Sequence, residues 1–184
     1  SVTEGTPERT NVEASDVILE SATDQIGRED NPLRIRLLGD EGTVTARALK
    51  SLYLRFIDDA RLAELVSVSG GINVYGTGSL YDANGDEHNF YGESLLISIA
   101  GDAGTAVNAL EADMKGERLV RGNAAALYLH GMTDLLMGDF RALSDVDISS
   151  LGTIRLLSAG GGVSSRNRGI SVTARNSILD ADED

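Results

Sequence analysis

Short phrases return in order along this chain, and that return is what most restricts its fold. Gly27-x-x-x-Asn31-x-Leu33 reappears as Gly104-x-x-x-Asn108-x-Leu110, about 77 positions on. Leu52-Tyr53-Leu54 reappears as Leu127-Tyr128-Leu129. Gly71-Ile72-Asn73-Val74 followed by Ser79-Leu80-Tyr81-Asp82-Ala83 reappears as Gly169-Ile170-Ser171-Val172 followed by Ser177-Ile178-Leu179-Asp180-Ala181. A globular domain has no need of such returns, whereas an array of stacked units is made of them.

Within the repeat the dominant apolar period is two. Leu33, Ile35 and Leu37 alternate with Arg34 and Arg36, and Leu52, Leu54 and Phe56 alternate with Tyr53 and Arg55. Ile72 and Val74, Ile154 and Leu156, and Ile170, Val172 and Ala174 follow the same rule. These are half-buried strands of four to six residues. Turn clusters separate them at Ser69-Gly70-Gly71, Asp82-Ala83-Asn84-Gly85-Asp86, Ala100-Gly101-Asp102 and Gly160-Gly161-Gly162. A first strand is expected over residues 14–20, and a turn or two of helix over Asp58–Leu65. Aromatic residues make up only 4% of the chain and Trp is absent, so the core is one of small aliphatic side chains.

These signals predict an all-β fold, a parallel β-helix or β-solenoid, with coils of about 20 residues and about four rungs per repeat. Residues 1–14 are expected as a linker or flexible edge, and residues 15–184 as a solenoid holding about two copies of the ~77-residue repeat. Leu33, Ile35, Leu52, Leu54, Ile72, Val74, Leu127, Leu129, Ile154, Leu156, Ile170 and Val172 should point inward, with Leu54 and Leu129 at equivalent places of successive repeats. The competing architecture is an antiparallel β-sandwich, which explains the alternation but not the repeat.

The formal net charge is −13, a field that repels phosphate backbones and attracts cations. Nucleic acid is therefore not an expected partner. Without cysteine there is no disulfide, thiolate metal site or Cys nucleophile. No apolar run reaches the roughly 18 residues of a membrane helix, so membrane insertion is not expected. Residues 1–14 are polar and acidic, unlike a signal peptide. The first residue is Ser rather than Met and both ends are abrupt, so the chain reads as a piece of something longer.

Ile26-Gly27-x-x-x-Asn31-Pro32-Leu33, with its copy Ala103-Gly104-x-x-x-Asn108-Ala109-Leu110, resembles a signature of filamentous-haemagglutinin-like giant bacterial repeat adhesins. Gly78-Ser79-Leu80-Tyr81-Asp82-Ala83-Asn84-Gly85-Asp86, Ser177-Ile178-Leu179-Asp180-Ala181-Asp182 and Gly152-Thr153-Ile154-Arg155-Leu156 are similar to turns and strand starts of the same proteins. The resemblance spans most of residues 15–184. It implies a right-handed parallel β-helix, secretion to the cell surface or medium, and service as a stalk or adhesive rod. It carries over no catalytic residue.

Several side chains invite a chemical reading. Asp82, Asn84, Asp86 and Glu87 place oxygen ligands around a Gly, as Ca²⁺ requires, although the spacing departs from an EF-hand. The same residues also fit a solvated Asn-Gly turn with acidic decoration. Asp180, Asp182, Glu183 and Asp184 repeat the theme. Asn31 and Asn108 are expected to turn inward at a corner and satisfy backbone groups. His88 and His130, without a second ligand or a triad partner at a useful spacing, read as exposed turn residues. Gly160-Gly161-Gly162 lacks the Lys-Ser/Thr ending of a phosphate loop. Arg166, Arg168 and Arg175 form either a basic patch for an acidic glycan or charges that blunt a sheet edge.

The expected function is a non-enzymatic structural rod, filament or stalk segment of a large extracellular or cell-surface adhesin. Its partners would be neighbouring repeats or head-to-tail copies, and a glycan or surface receptor. One alternative is a carbohydrate-binding module with calcium-stiffened turns. The other is a glycan-active β-helix enzyme, which needs carboxylates gathered on one groove.

Overall fold

The computed structural model describes residues 9–158 and 162–182. Residues 1–8, Gly160 and Gly161 of the expected glycine turn, and Glu183 and Asp184 lie outside them. Every regular element among the described residues is a strand. In chain order these are β1 (Val12–Ala14), β2 (Val17–Ser21), β3 (Leu33–Leu37), β4 (Val44–Ala48), β5 (Leu52–Phe56) and β6 (Ala60–Ser67). There follow β7 (Gly71–Gly76), β8 (Leu80–Asp82), β9 (Phe90–Ile99), β10 (Leu110–Ala124), β11 (Leu127–Gly131) and β12 (Leu135–Ala142). The last are β13 (Val146–Ser150), β14 (Ile154–Leu156), β15 (Val163–Ser165), β16 (Ile170–Ala174) and β17 (Ile178–Asp180).

All strand pairs are parallel, which removes the sandwich and gives a β-solenoid of about eight turns. The strands form two ladders. The first runs through β1, β3, β5, β7, the later halves of β9 and β10, β12, then β14 and β15, with β17 on β14. The second runs through β2, β4, β6, β8 with the start of β9, the start of β10, β11, β13 and β16. Rungs stack at about 4.8 Å.

The period-two pattern translates into a core between the ladders. Leu52, Ile72, Leu95, Val120 and Met137 follow one another in register and are all buried. The three phenylalanines, Phe56, Phe90 and Phe140, are the largest fully buried side chains. Of the twelve residues expected inside, nine are buried or packed on the core in the interior rungs, and Leu156 and Val172 pack on it near the last rung. Ile170 departs, at 47% exposed: it points inward beside Val146, but no later described strand of the second ladder covers it.

Three other expectations change. Asp58–Leu65 is not helical, since β6 runs through it. Val44 pairs with Leu62 but Thr45 pairs with Glu64, so Ala63 is an extra, bulged residue. The bulge spaces Leu62 and Leu65 three apart and so imitates a helical period. Val12–Ala14, read as part of the linker, is β1 paired with β3, and the chain breaks at Ser15-Asp16 before β2.

The third change concerns the repeat. Ile26 pairs with Leu52 and Leu33 with Leu54, so residues 27–32 loop out where the next rung has Tyr53 alone. Ala103 pairs with Leu127 and Leu110 with Leu129, so residues 104–109 loop out over Tyr128. Reciprocal backbone bonds close each loop, between Arg28 and Asn31 and between Thr105 and Asn108. Gly27 and Gly104 turn the chain at φ 72° and 74°, where a Cβ would stand 2.1 Å from the Tyr53 carbonyl oxygen and 2.6 Å from that of Tyr128. The Gly-x-x-x-Asn-x-Leu phrase is thus a six-residue loop-out module. Its copies lie in different ladders, so Leu54 and Leu129 are not stacked equivalents of a superhelical period.

Candidate functional site

The acidic loop after β8 is organised by a residue the sequence did not single out. Asn89 is fully buried. Its Nδ2 shares two hydrogens among three acceptors, the Leu62 carbonyl at 2.9 Å, Asp82 Oδ1 at 2.8 Å and Asn84 Oδ1 at 3.0 Å, while its Oδ1 accepts the Glu111 N–H at 2.9 Å. Asp82, only 5% exposed, also accepts the N–H groups of Asn84 and Gly85. Asn84 Nδ2 donates to the Ala63 and His88 carbonyls. Asp86 and Glu87 are exposed. Of the four candidate calcium ligands, two are therefore engaged within the loop and two face solvent, and no group of three acidic or imidazole side chains converges among the described residues. Asp180 Oδ1 similarly accepts the Asp182 N–H, and Asp182 Oδ2 accepts the Ser158 N–H. The shared Asp-Ala-Asn/Asp phrase is a side-chain-closed turn ending a strand.

Asn31 and Asn108 do not turn inward; both are exposed and serve through their backbones. The inward corner asparagine is Asn89. Its signal was weak because it follows His88 in a loop rather than occupying a repeat slot.

The two histidines are half-buried rather than exposed; His88 lies in the loop before β9, as expected of a turn residue, whereas His130 lies within a strand. His88 Nε2 lies 3.0 Å from Glu64 Oε1, and its ring is 5.4 Å from that of Tyr91. Lys115 Nζ stands 4.1 Å over the Tyr91 ring. His130 belongs to β11, with Nδ1 2.8 Å from Ser149 Oγ, and its register neighbour on β10 is Glu111. Burial, then the nearby Asp82 and Asp86 carboxylates, push Glu111 up to about 7. Its Oε2 is buried without a hydrogen-bond partner. Sequence reasoning missed Glu111 because its neighbours come from three other rungs.

Outward arginines are more numerous on the first ladder than on the second, which carries Arg47 and Arg61. Outward positions of the first ladder carry Arg34, Arg36, Arg55, Arg121, Arg141 and Arg155. In register, Arg34 adjoins Arg55 and Arg55 adjoins Tyr75, while Tyr53 adjoins Asn73, Asn73 adjoins Leu96 and Leu96 adjoins Arg121. Arg36 bridges Glu13 at 3.4 Å and Asp58 at 3.1 Å, and Arg141 pairs with Asp139 through two contacts. Arg34, Arg121 and Arg155 have no side-chain ion pair or hydrogen bond among the described residues. A shallow depression of about 410 Å³ opens on this face between Leu96, Arg121, Gly122, Asn123, Asp139 and Arg141. Arg166 and Arg168 lie in the corner before β16 and Arg175 beyond its far end, so those three do not form one patch.

Compared with known proteins, the chain matches no family model, no curated protein and no solved structure.

Proposed function

We propose that this chain is a non-enzymatic rod or stalk segment of a large bacterial surface or secreted adhesin, acting by stacking rather than by chemistry. The observation that carries the reading is the last described rung. Ile170 and Ile178 stack on Val146 and Ile154, which are buried, yet they are themselves 47% and 49% exposed. This rung offers a further parallel rung both apolar contact and backbone hydrogen-bonding groups. Neighbouring repeats of a longer protein, or the first rung of another copy, supply such a partner. A head-to-tail contact of that kind does not close, and it propagates into a filament. The short phrases resembling giant repeat adhesins agree with this role and with an extracellular or cell-surface setting.

The net charge of −13 opposes association between copies, and salt screens that repulsion. Light scattering and electron microscopy across a salt series should show end-to-end particles that lengthen as ionic strength rises. The double variant I170D/I178D should remain short at every salt concentration. A wild-type particle that stays monomeric throughout overturns the proposal.

A further inference from the structure

We infer that the two ends of the solenoid are complementary half-rungs, so that a second copy of this chain docks with its β1 on β15, beside β17, and its β2 on β16. The inference rests on the stacking reading above and deepens it by fixing the partner and its register.

Register carries the argument. Two columns of the first ladder can be followed from rung to rung. The early one runs from Ile26 through Leu52, Ile72, Leu95, Val120, Met137 and Leu156 to Asp180 of β17. The late one runs from Arg34 through Arg55, Tyr75, Ser98, Asn123 and Arg141 to Ser164 of β15. β1 belongs to the late part alone, since Val12 pairs with Ile35, the residue after Arg34. At one end, therefore, β17 extends the early part and no described strand covers β15. At the other, β1 extends the late part and no described strand lies beneath Ile26. Set end to end, β17 of one copy and β1 of the next fill a single rung between them. The second ladder stays in phase: Leu19 of β2 and Ala174 of β16 are the two ends of one column through Ala46, Leu65, Phe90, Ala112, Gly131 and Ser150. Ends out of phase by half a turn would collide in one ladder or leave it a strand short.

The side chains at the two ends match. Val12, Ala14 and Leu19 on the first rung, and Val163, Val172 and Ala174 on the last, pack on the core but are only partly buried. The joint places Leu19 over Ala174 and Val12 over Ser165. The early half is its polar part, since Asp180 lies in the column of Ile26. Glu13 is the register partner of Arg36, and Glu20 that of Arg47. Arg166 and Arg175 follow Ser165 and Ala174, and their N–H groups bond the rung beneath at the Ala142 and Ser150 carbonyls, so both hold ladder positions. The joint therefore sets Glu13 on Arg166 and Glu20 on Arg175, each glutamate between two arginines. Neither Arg166 nor Arg175 has a side-chain ion pair or hydrogen bond among the described residues.

The chain has no cysteine, so engineered pairs report on the joint alone. Ile18 and Thr173 are exposed, precede Leu19 and Ala174, and stand at opposite ends of one chain, so a disulfide between them links two copies. At the ionic strength where particles lengthen, oxidised I18C/T173C should run as a ladder of disulfide-linked multimers on a non-reducing gel. I18C/S171C, two residues out of register, and either single variant should give at least about tenfold less product. R166E/R175E should need at least about tenfold more protein to reach the same particle length, while R121E/R141E, the same charge change in interior rungs, should assemble as wild type does. Particles that lengthen while I18C/T173C stays unlinked, or links no better than I18C/S171C, overturn this joint and leave stacking standing. Equal linking by the single variants means that like ends meet and overturns it as well. A chain that never associates overturns the stacking reading together with the joint.

Discussion

Asn89 and Glu111 show how much one corner of a solenoid depends on single side chains. Asn89 ties the carbonyl of Leu62, the carboxylate of Asp82 and the N–H of Glu111 together across three rungs. Replacing it with Ala strands these groups in a dry environment, and urea unfolding should show a loss of roughly 2–4 kcal/mol. Asp82→Ala should fall in the same range with or without calcium, because its oxygens already serve the loop. Asp86→Ala, on the solvent side, should stay within about 0.5 kcal/mol. Glu111 behaves in the opposite sense to a paired carboxylate. The folded state holds its proton up to about pH 7, while the unfolded chain releases it near 4.3. The stabilisation is fully present below the unfolded value and is lost as pH rises toward 7. Because the side chain is half-exposed, screening leaves roughly 1 kcal/mol of this. Denaturation curves from pH 4 to 8 should show that decline, and Glu111→Gln should flatten it.

At the scale of elements, the loop-out module explains what the sequence could and could not reveal. Gly27 must hold φ 72° with its α-carbon against the Tyr53 carbonyl, so Gly27→Ala should cost roughly 2–4 kcal/mol, and Gly104→Ala a similar amount. Gly85 has φ 74° but open space around it, so Gly85→Ala should cost only about 1–2 kcal/mol. Thermal melts of the three variants separate steric approach from backbone strain. The strict glycine requirement, with the Leu-Tyr-Leu strand stacked on each loop, is why the phrase was visible as a repeat. Its ladder was not visible, because both ladders present the same inward-apolar, outward-polar pattern to a reader of sequence. The strands β3, β5, β7, β14 and β16 were legible from their alternation. β6 was not, since the bulge at Ala63 breaks the period of two. The acidic loop was legible as a turn, but the Asn89 network and the arginine face were hidden because each is assembled across rungs from residues about 20 positions apart in sequence.

The molecule as a whole is quasi-one-dimensional, so each rung draws its stability from its two neighbours. An interior rung is covered on both sides: Ile148, between Leu129 and Val172, is fully buried. Ile178 is covered by Ile154 on one side and is 49% exposed. Ile148→Ala should therefore cost about 2–5 kcal/mol and Ile178→Ala less than about 1 kcal/mol. The same asymmetry should govern opening. Removing β16 and β17 from the stack breaks a single rung interface, whereas opening the chain at β11 breaks the interfaces on both of its sides. Backbone amides of β16 and β17 should exchange hydrogen first, those of β13 and β14 later, and those of β5 to β12 only with global unfolding. A parallel rung stacked on the last one would convert it into an interior rung. Exchange at β16 and β17 should then slow under the salt conditions that lengthen the particles, and I170D/I178D should abolish that slowing. Uniform exchange from first rung to last, unchanged by association, would mean that the rungs open in one cooperative step and that the exposed isoleucines take no part in stacking.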